Sequence, residues 1–168
     1  MKNIVLTGFM GAGKSSVGKR LAEHLGLSVV DTDEVIEEDS GMKISEIFSR
    51  FGEPRFRELE SEAVKRVSKL TDHVIVTGGG VVLKAVNIEN LRKKGIIIYL
   101  HAAPETIYNR VKDETHRPLL QVADPLAKIR ELLESRSQFY ANNDIEVDTT
   151  NLSVDEVVEE IIQKIDSE

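Results

Sequence analysis

The stretch "GFMGAGKSS", residues 8–16, contains Gly8-x4-Gly13-Lys14-Ser15, the phosphate-loop pattern G-x-x-x-x-G-K-[ST]. Each position has a chemical reason. Glycines let consecutive backbone N–H groups point at phosphate oxygens. Lys14 brings a compact charge to the β and γ phosphates, and the Ser15 hydroxyl is suited to ligate Mg²⁺. "IVLT", residues 4–7, reads as a strand before the loop, and "VGKRLAEHL", 17–25, as a helix after it. That helix adds its positive N-terminal dipole. A plain glycine turn explains this context poorly. The stretch predicts nucleoside-triphosphate binding by Gly11, Ala12, Gly13, Lys14, Ser15 and Ser16.

Further apolar runs read as buried strands: "SVV" at 28–30, "VIV" at 74–76, "IIIYL" at 96–100 and "IEV" at 145–147. Mostly continuous and β-branched, they suit a parallel sheet covered on both faces. Helical stripes lie between them. Val17, Leu21 and Leu25 precede Gly26, a C-cap. Phe56, Leu59, Ala63 and Val67 form a second stripe. Pro104 opens a helix with Ile107 and Val111, and Asp124-Pro125 opens another with Ile129, Leu132 and Leu133. Ser153 and Glu156 form a capping box, with Leu152 and Val157 at the staple positions. The alternation predicts a three-layer α/β fold in a single domain, 1–168. Residues 33–70 hold too much helix for one crossover, and 112–124 read as a polar, mobile loop. Both are candidate substrate-handling insertions.

The bulk numbers narrow the partners. Among 168 residues, 22 basic and 29 acidic side chains give a formal net charge of −7, a poor match for a nonspecific nucleic-acid binder. There is no cysteine, which excludes thiolate zinc sites and disulfides. His24, His73, His101 and His116 show no metal-ligand spacing. Lys2 and the residues after it loosely imitate a signal peptide, but the apolar run proper is only 4–6, and no run reaches the ~18 apolar residues of a membrane span. The expectation is a cytoplasmic protein without a membrane partner. The phosphate loop alone does not separate a kinase from a GTPase switch or a motor. There is no "NKxD"-like segment for guanine and the chain is short for a motor, so a small-molecule kinase is the first reading.

Other charged residues carry two readings each. Asp31 and Asp33 in "VVDTDE" are one paired metal site, two carboxylates with separate jobs, or a turn with a helix N-cap. Arg57 and Glu60 are neighbours at i, i+3, and spacing alone makes them a surface pair, with Glu60 at the border of the apolar stripe and Arg57 further round. Gly78, Gly79 and Gly80 are entropically expensive as a plain turn; a ligand approaching the backbone explains them better. Arg117 is a loop arginine, and Arg136 a cation ending the helix after that loop.

In order, "GFMGAGKSS", "DTD" at 31–33, "FRELE" at 56–60, "TGGG" at 77–80, "RPLL" at 117–120, and Arg136 with Tyr140 in "RSQFY" make the chain similar to the shikimate kinases. The resemblance implies the fold of nucleoside monophosphate kinases: a five-stranded parallel sheet, a helical substrate-binding insertion at about 33–61 and a lid at about 112–124. It implies ATP as co-substrate with Mg²⁺, held by Ser15 and, through hydration, by Asp31. It places Lys14, Asp33 and Arg117 as catalytic residues, with Asp33 on the acceptor hydroxyl and Arg117 on the phosphates. Arg57 and Arg136 take the shikimate carboxylate, Glu60 orients Arg57, Gly78 to Gly80 line the substrate, and Arg110 covers the adenine. No residue of 151–156 is assigned to the adenine.

The implied product is shikimate 3-phosphate, and the expected oligomeric state is a monomer acting on small molecules. The rivals are another phosphate-loop kinase, for gluconate or a nucleotide, and a nucleotide-binding module without turnover. The triple glycine with Arg57 and Arg136 argues against the first, and Lys14, Asp33 and Arg117 together argue against the second.

Overall fold

The computed structural model describes residues 1–114 and 120–168. Five strands, β1 (Asn3–Thr7), β2 (Ser28–Asp31), β3 (His73–Val76), β4 (Gly95–His101) and β5 (Ile145–Asp148), form one sheet in the order β2-β3-β1-β4-β5. Every pairing is parallel, with Ile4 opposite Val74 on one side of β1 and Ile96 on the other. The helices are α1 (Lys14–Leu25), α2 (Thr32–Ser40), α3 (Ile44–Val67), α4 (Ala85–Arg92), α5 (Pro104–Val111), α6 (Pro125–Tyr140) and α7 (Val154–Asp166).

Strand alternation divides the core in two. Ile4, Leu6, Val74, Val76, Ile98 and Leu100 pack with Val17, Leu21, Val157 and Ile161 of α1 and α7. Val5, Ile75 and Ile97 pack with Ala63, Val64, Ile88 and Ile129 of α3, α4 and α6. Side chains two apart share a face, so each inner strand feeds both layers. This explains the unbroken β-branched runs. Gly18 marks a close helix–sheet approach: a Cβ there would stand 2.6 Å from Val76 Cγ2.

The anticipated caps form. Gly26 closes α1, Asp124 accepts the Ala127 N–H at 3.1 Å, and Ser153 and Glu156 bond reciprocally. The long crossover from β2 to β3 holds α2 and α3. Gly52, at φ 80° and ψ 171°, breaks α3 into two arms, a conformation that a side chain would resist.

Three features depart from the pattern reading. A 3₁₀ turn at Val81–Leu83 and helix α4 have no sequence signal: α4 starts at Lys84 without a side-chain cap and buries just Ile88, Leu91 and Asn87. Arg136 does not end its helix, because α6 continues four residues to Tyr140, which is buried. Of the segment 112–124, Leu120 packs into the core, while 115–119, with Arg117, lie outside the described residues. Among the described residues no helix is long and apolar enough to cross a membrane.

Candidate active site

A cleft of about 1100 Å³ opens at the carboxyl ends of β1 and β3. On one side lies the loop after β1. Gly13 caps α1 with φ 94° and no side-chain hydrogen bond, and the N-terminus of a helix so placed suits an anion. Gly11, Ala12, Gly13, Lys14, Ser15 and Ser16 all line the cleft. Lys14 Nζ donates to the Gly8 and Phe9 carbonyls at 2.5 and 3.0 Å, which places the ammonium inside the loop it serves.

Asp31 and Asp33 prove to be differently built. Asp31 closes β2 and is the N-cap of α2; its Oδ1 accepts the Asp33 and Glu34 N–H groups at 2.8 and 3.4 Å. Burial pushes its carboxyl up, partly offset by those N–H groups and Lys14. Asp33 already belongs to the first turn of α2, so the strand pleat does not relate the two. Its Oδ1 is enclosed without a hydrogen-bond partner. Burial, then the charges of Asp31 and Glu60, push its pKa up to about 7.

The second half of α3 supplies Arg57 and Glu60. They do pair at i, i+3, with Arg57 NH1 donating to Glu60 Oε1 at 2.9 Å. The pair is not on the surface, however. Glu60 is 1% exposed and Arg57 is buried, so Arg57 lies on the cleft wall rather than round the helix toward solvent. Arg57 NH2 also reaches Glu53 at 3.2 Å. Burial raises the Glu60 carboxyl, against the opposing pull of Arg57 and then Arg136. Arg136, 4% exposed, stands 5.7 Å over the Phe9 ring. It is a cleft residue and not a helix-end cation in solvent.

The three glycines explain themselves by what surrounds them. A Cβ on Gly78 would come 2.8 Å from Asp33 Oδ1 and 3.1 Å from Glu60 Oε2; one on Gly80 would fall on the Arg57 guanidinium. On Gly79 it would stand 3.2 Å from the Met10 N atom of the phosphate loop. Thr32, inside "DTD", accepts the Gly78 N–H at 3.1 Å.

Arg110 lines the end of the cleft beside the phosphate loop. It is held by its own neighbours, donating to the Gly11 carbonyl at 3.0 Å and to the Thr149 hydroxyl and carbonyl at 3.3 and 3.1 Å. Thr149, Leu152, Ser153 and Val154 complete this end. Sequence reasoning missed them because each is an ordinary loop or cap residue, and the turn after β5 alone brings them there. It also assigned no role to Thr32, Ile44 or Phe48, which meet the cleft or its glycines through the chain's path around the α2–α3 crossover.

A phosphate loop joining β1 to α1, the strand order 2-3-1-4-5, and an adjoining pocket walled by two arginines and two acids define a small-molecule kinase of the phosphate-loop class. The family model for shikimate kinase matches residues 10–166, and the chain belongs to the shikimate kinase family. It is 52% identical to the shikimate kinase of Thermodesulfovibrio yellowstonii over 98% of this chain and 95% of that one. It is 51% identical to that of Caldanaerobacter subterraneus subsp. tengcongensis over 97% and 95%. A structure of shikimate kinase from Acinetobacter baumannii in complex with shikimate superposes with a TM-score of 0.96 at 37% identity, covering 99% of this chain and 94% of that one. ATP is the co-substrate of the family.

Proposed function

We propose that the chain transfers the γ-phosphoryl group of ATP to the 3-hydroxyl of shikimate, giving shikimate 3-phosphate and ADP in the route to chorismate and the aromatic amino acids. One observation carries the reading at this site. Among the described residues six enclosed side-chain polar atoms lack partners, and four of the six belong to cleft residues: the acceptors Asp33 Oδ1 and Glu60 Oε2, and the donors Arg57 Nε and Arg136 NH1. Buried polar atoms are nearly always hydrogen-bonded. The set therefore fits a ligand that carries both a carboxylate and hydroxyls, as shikimate does.

In this reading Arg57 and Arg136 clamp the carboxylate, with Glu60 holding the Arg57 fork in place. Asp33 accepts the hydrogen bond of the 3-hydroxyl. As the oxygen–phosphorus bond forms and the bond to the bridging β–γ oxygen breaks, the hydroxyl proton passes to Asp33, whose pKa of about 7 suits that task. Lys14 follows the charge on the β and γ phosphates, and Arg117 meets them from the lid at about 112–124. A loose phosphoryl-transfer transition state asks mainly for such positioning and charge stabilisation. Arg110 supports the adenine end.

The donor set also fits Mg²⁺. Among the described residues no cluster of three acids or histidines could hold a metal. Mg²⁺ commonly takes one or two protein ligands and completes its shell with phosphates and water. Ser15 and Asp31 would hold it, and when bound it neutralises phosphate charge. We further propose one kinase domain, 1–168, with its substrate-binding insertion at about 33–61, acting as a cytoplasmic monomer. Its net charge of −7 supports small-molecule partners over nucleic acid, and no membrane partner is proposed.

A coupled assay of ADP release tests the reading with shikimate, gluconate and AMP compared. Turnover with shikimate alone is expected. Turnover with gluconate or AMP but not shikimate overturns the substrate, and no turnover with any of them favours a binding module.

A further inference from the structure

The carbonyls of the triple glycine are each tied down from a different direction. Gly78 accepts from the Val81 N–H at 3.2 Å and Gly80 from the Leu83 N–H at 3.1 Å, both within the turn itself. Gly79 accepts from the Tyr140 hydroxyl at 2.5 Å, 61 residues away on α6. Tyr140 is buried and its ring stacks on Tyr99 of β4, with centroids 4.9 Å apart and planes 4° from parallel. The phenol therefore has one fixed direction. Arg136 sits one helical turn before Tyr140 on the same helix, and residues four apart share a face.

We propose that Tyr140 is a positioning residue for the acceptor site: it pins the Gly79–Gly80 peptide and locks α6 so that Arg136 faces the carboxylate. The inference rests on the shikimate reading above. Gly79 lies against Met10 of the phosphate loop, and Gly80 leaves the room that Arg57 occupies. A rotated Gly79–Gly80 peptide thus disturbs the arginine pocket. Backbone N–H groups at Gly79 and Gly80 make no hydrogen bond among the described residues, so the Tyr140 bond is what fixes that peptide plane. Burial pushes the Tyr140 phenol up, against the opposing pull of Arg136, so the group stays a neutral donor across the working pH range.

Tyr140→Phe removes the hydroxyl and keeps the stacked ring. The expected result is a rise in the shikimate KM of roughly three- to tenfold, the scale of one neutral hydrogen bond, with kcat and the ATP KM within about twofold. The Gly80 amide resonance, whose peptide carries the Gly79 carbonyl, should shift in the ligand-free protein. Equal rises in both KM values, or an unchanged shikimate KM, overturn the proposal. An unchanged Gly80 amide overturns it independently of any substrate. Wild-type protein that fails to turn over shikimate instead refutes the substrate reading, and the amide shift still decides the pin. Tyr99→Leu, which removes the stack and keeps the hydroxyl, should move the Gly80 amide less than Tyr140→Phe does; a larger movement assigns the effect to ring packing and also overturns the proposal.

Discussion

The side chain of Asp31 holds the backbone of Asp33: its Oδ1 accepts the Asp33 N–H at 2.8 Å. One carboxylate is thus spent in part on starting α2, and the other is delivered, without a partner for Oδ1, into the cleft. The chemistry differs because the hydrogen bonding differs, although the two residues are chemically identical and two positions apart.

Asp33→Asn should abolish turnover while ATP affinity stays nearly intact; lost ATP affinity would instead place Asp33 on the nucleotide side. The same variant tests the titration. An acid whose folded pKa, about 7, lies above its ordinary 3.8 binds its proton more tightly folded than unfolded. Its cost to stability is absent below 3.8 and grows as pH rises toward about 7. Asn removes that cost, so in ligand-free protein its melting temperature relative to wild type should be higher at pH 8 than at pH 4. In wild type, kcat/KM for shikimate should rise with pH through about 7. A flat profile leaves Asp33 as a positioning group.

Arg57→Ala should weaken shikimate binding by roughly 1.5–3 kcal/mol, the scale of a hydrogen bond to a charged group. It also leaves Glu60 buried without its cation, and breaking a buried pair costs about 3–5 kcal/mol. Protonation of Glu60 relieves this, so thermal melting should show a smaller loss at pH 5 than at pH 8. Unchanged shikimate affinity by calorimetry would reduce the pair to a structural one.

Gly80→Ala is a steric test of the same pocket. The backbone there, φ −100° and ψ 7°, is open to alanine, so strain is not the cause of any effect. The added methyl falls where the Arg57 guanidinium stands. The shikimate KM should rise roughly tenfold or more, about 1.4 kcal/mol, with the ATP KM unchanged. Steady-state kinetics in both substrates reads the split.

Gly18→Ala sets two effects against each other. Helix propensity favours alanine by about 1 kcal/mol, but its Cβ would stand 2.6 Å from Val76 Cγ2, and overpacking costs about 1–3 kcal/mol. Overpacking should win, lowering the melting temperature by a few degrees. Adding Val76→Ala should recover part of the loss; no recovery would place the strain elsewhere.

Five strands and the caps at Gly26, Asp124 and Ser153 were legible because local pattern decides them: β-branched runs for parallel strands, a glycine at the end of α1 and single polar residues at two helix starts. The reading of Val29 and Val30 as buried was wrong, because β2 is an edge strand and Val29 is exposed. Helix α4 was not, because its burial comes from the sheet beneath it and its own sequence carries little periodicity. In the site, the phosphate loop is a contiguous motif and could be read directly. Arg57 with Glu60 could be read as a pair, but not as buried. That depends on Gly80, which lies over twenty residues away and contributes to the pocket through the side chain it lacks. Tyr140 could be seen as part of a motif, while its partner, a backbone carbonyl on another element, leaves no trace in composition or spacing.

Strands β1 and β3 are neighbours in the middle of the sheet. One runs into the phosphate loop and the other into the three glycines, which in the proposed reading face the donor and the acceptor. Adjacent strands lie about 4.8 Å apart, a repeat fixed by backbone hydrogen bonds. The offset between the giving and receiving halves of the reaction is therefore ruled by the lattice of the sheet. Substitutions in the α2–α3 crossover can reshape what is accepted without resetting that ruler, so new acceptor preferences are open to the scaffold while its phosphate geometry is retained.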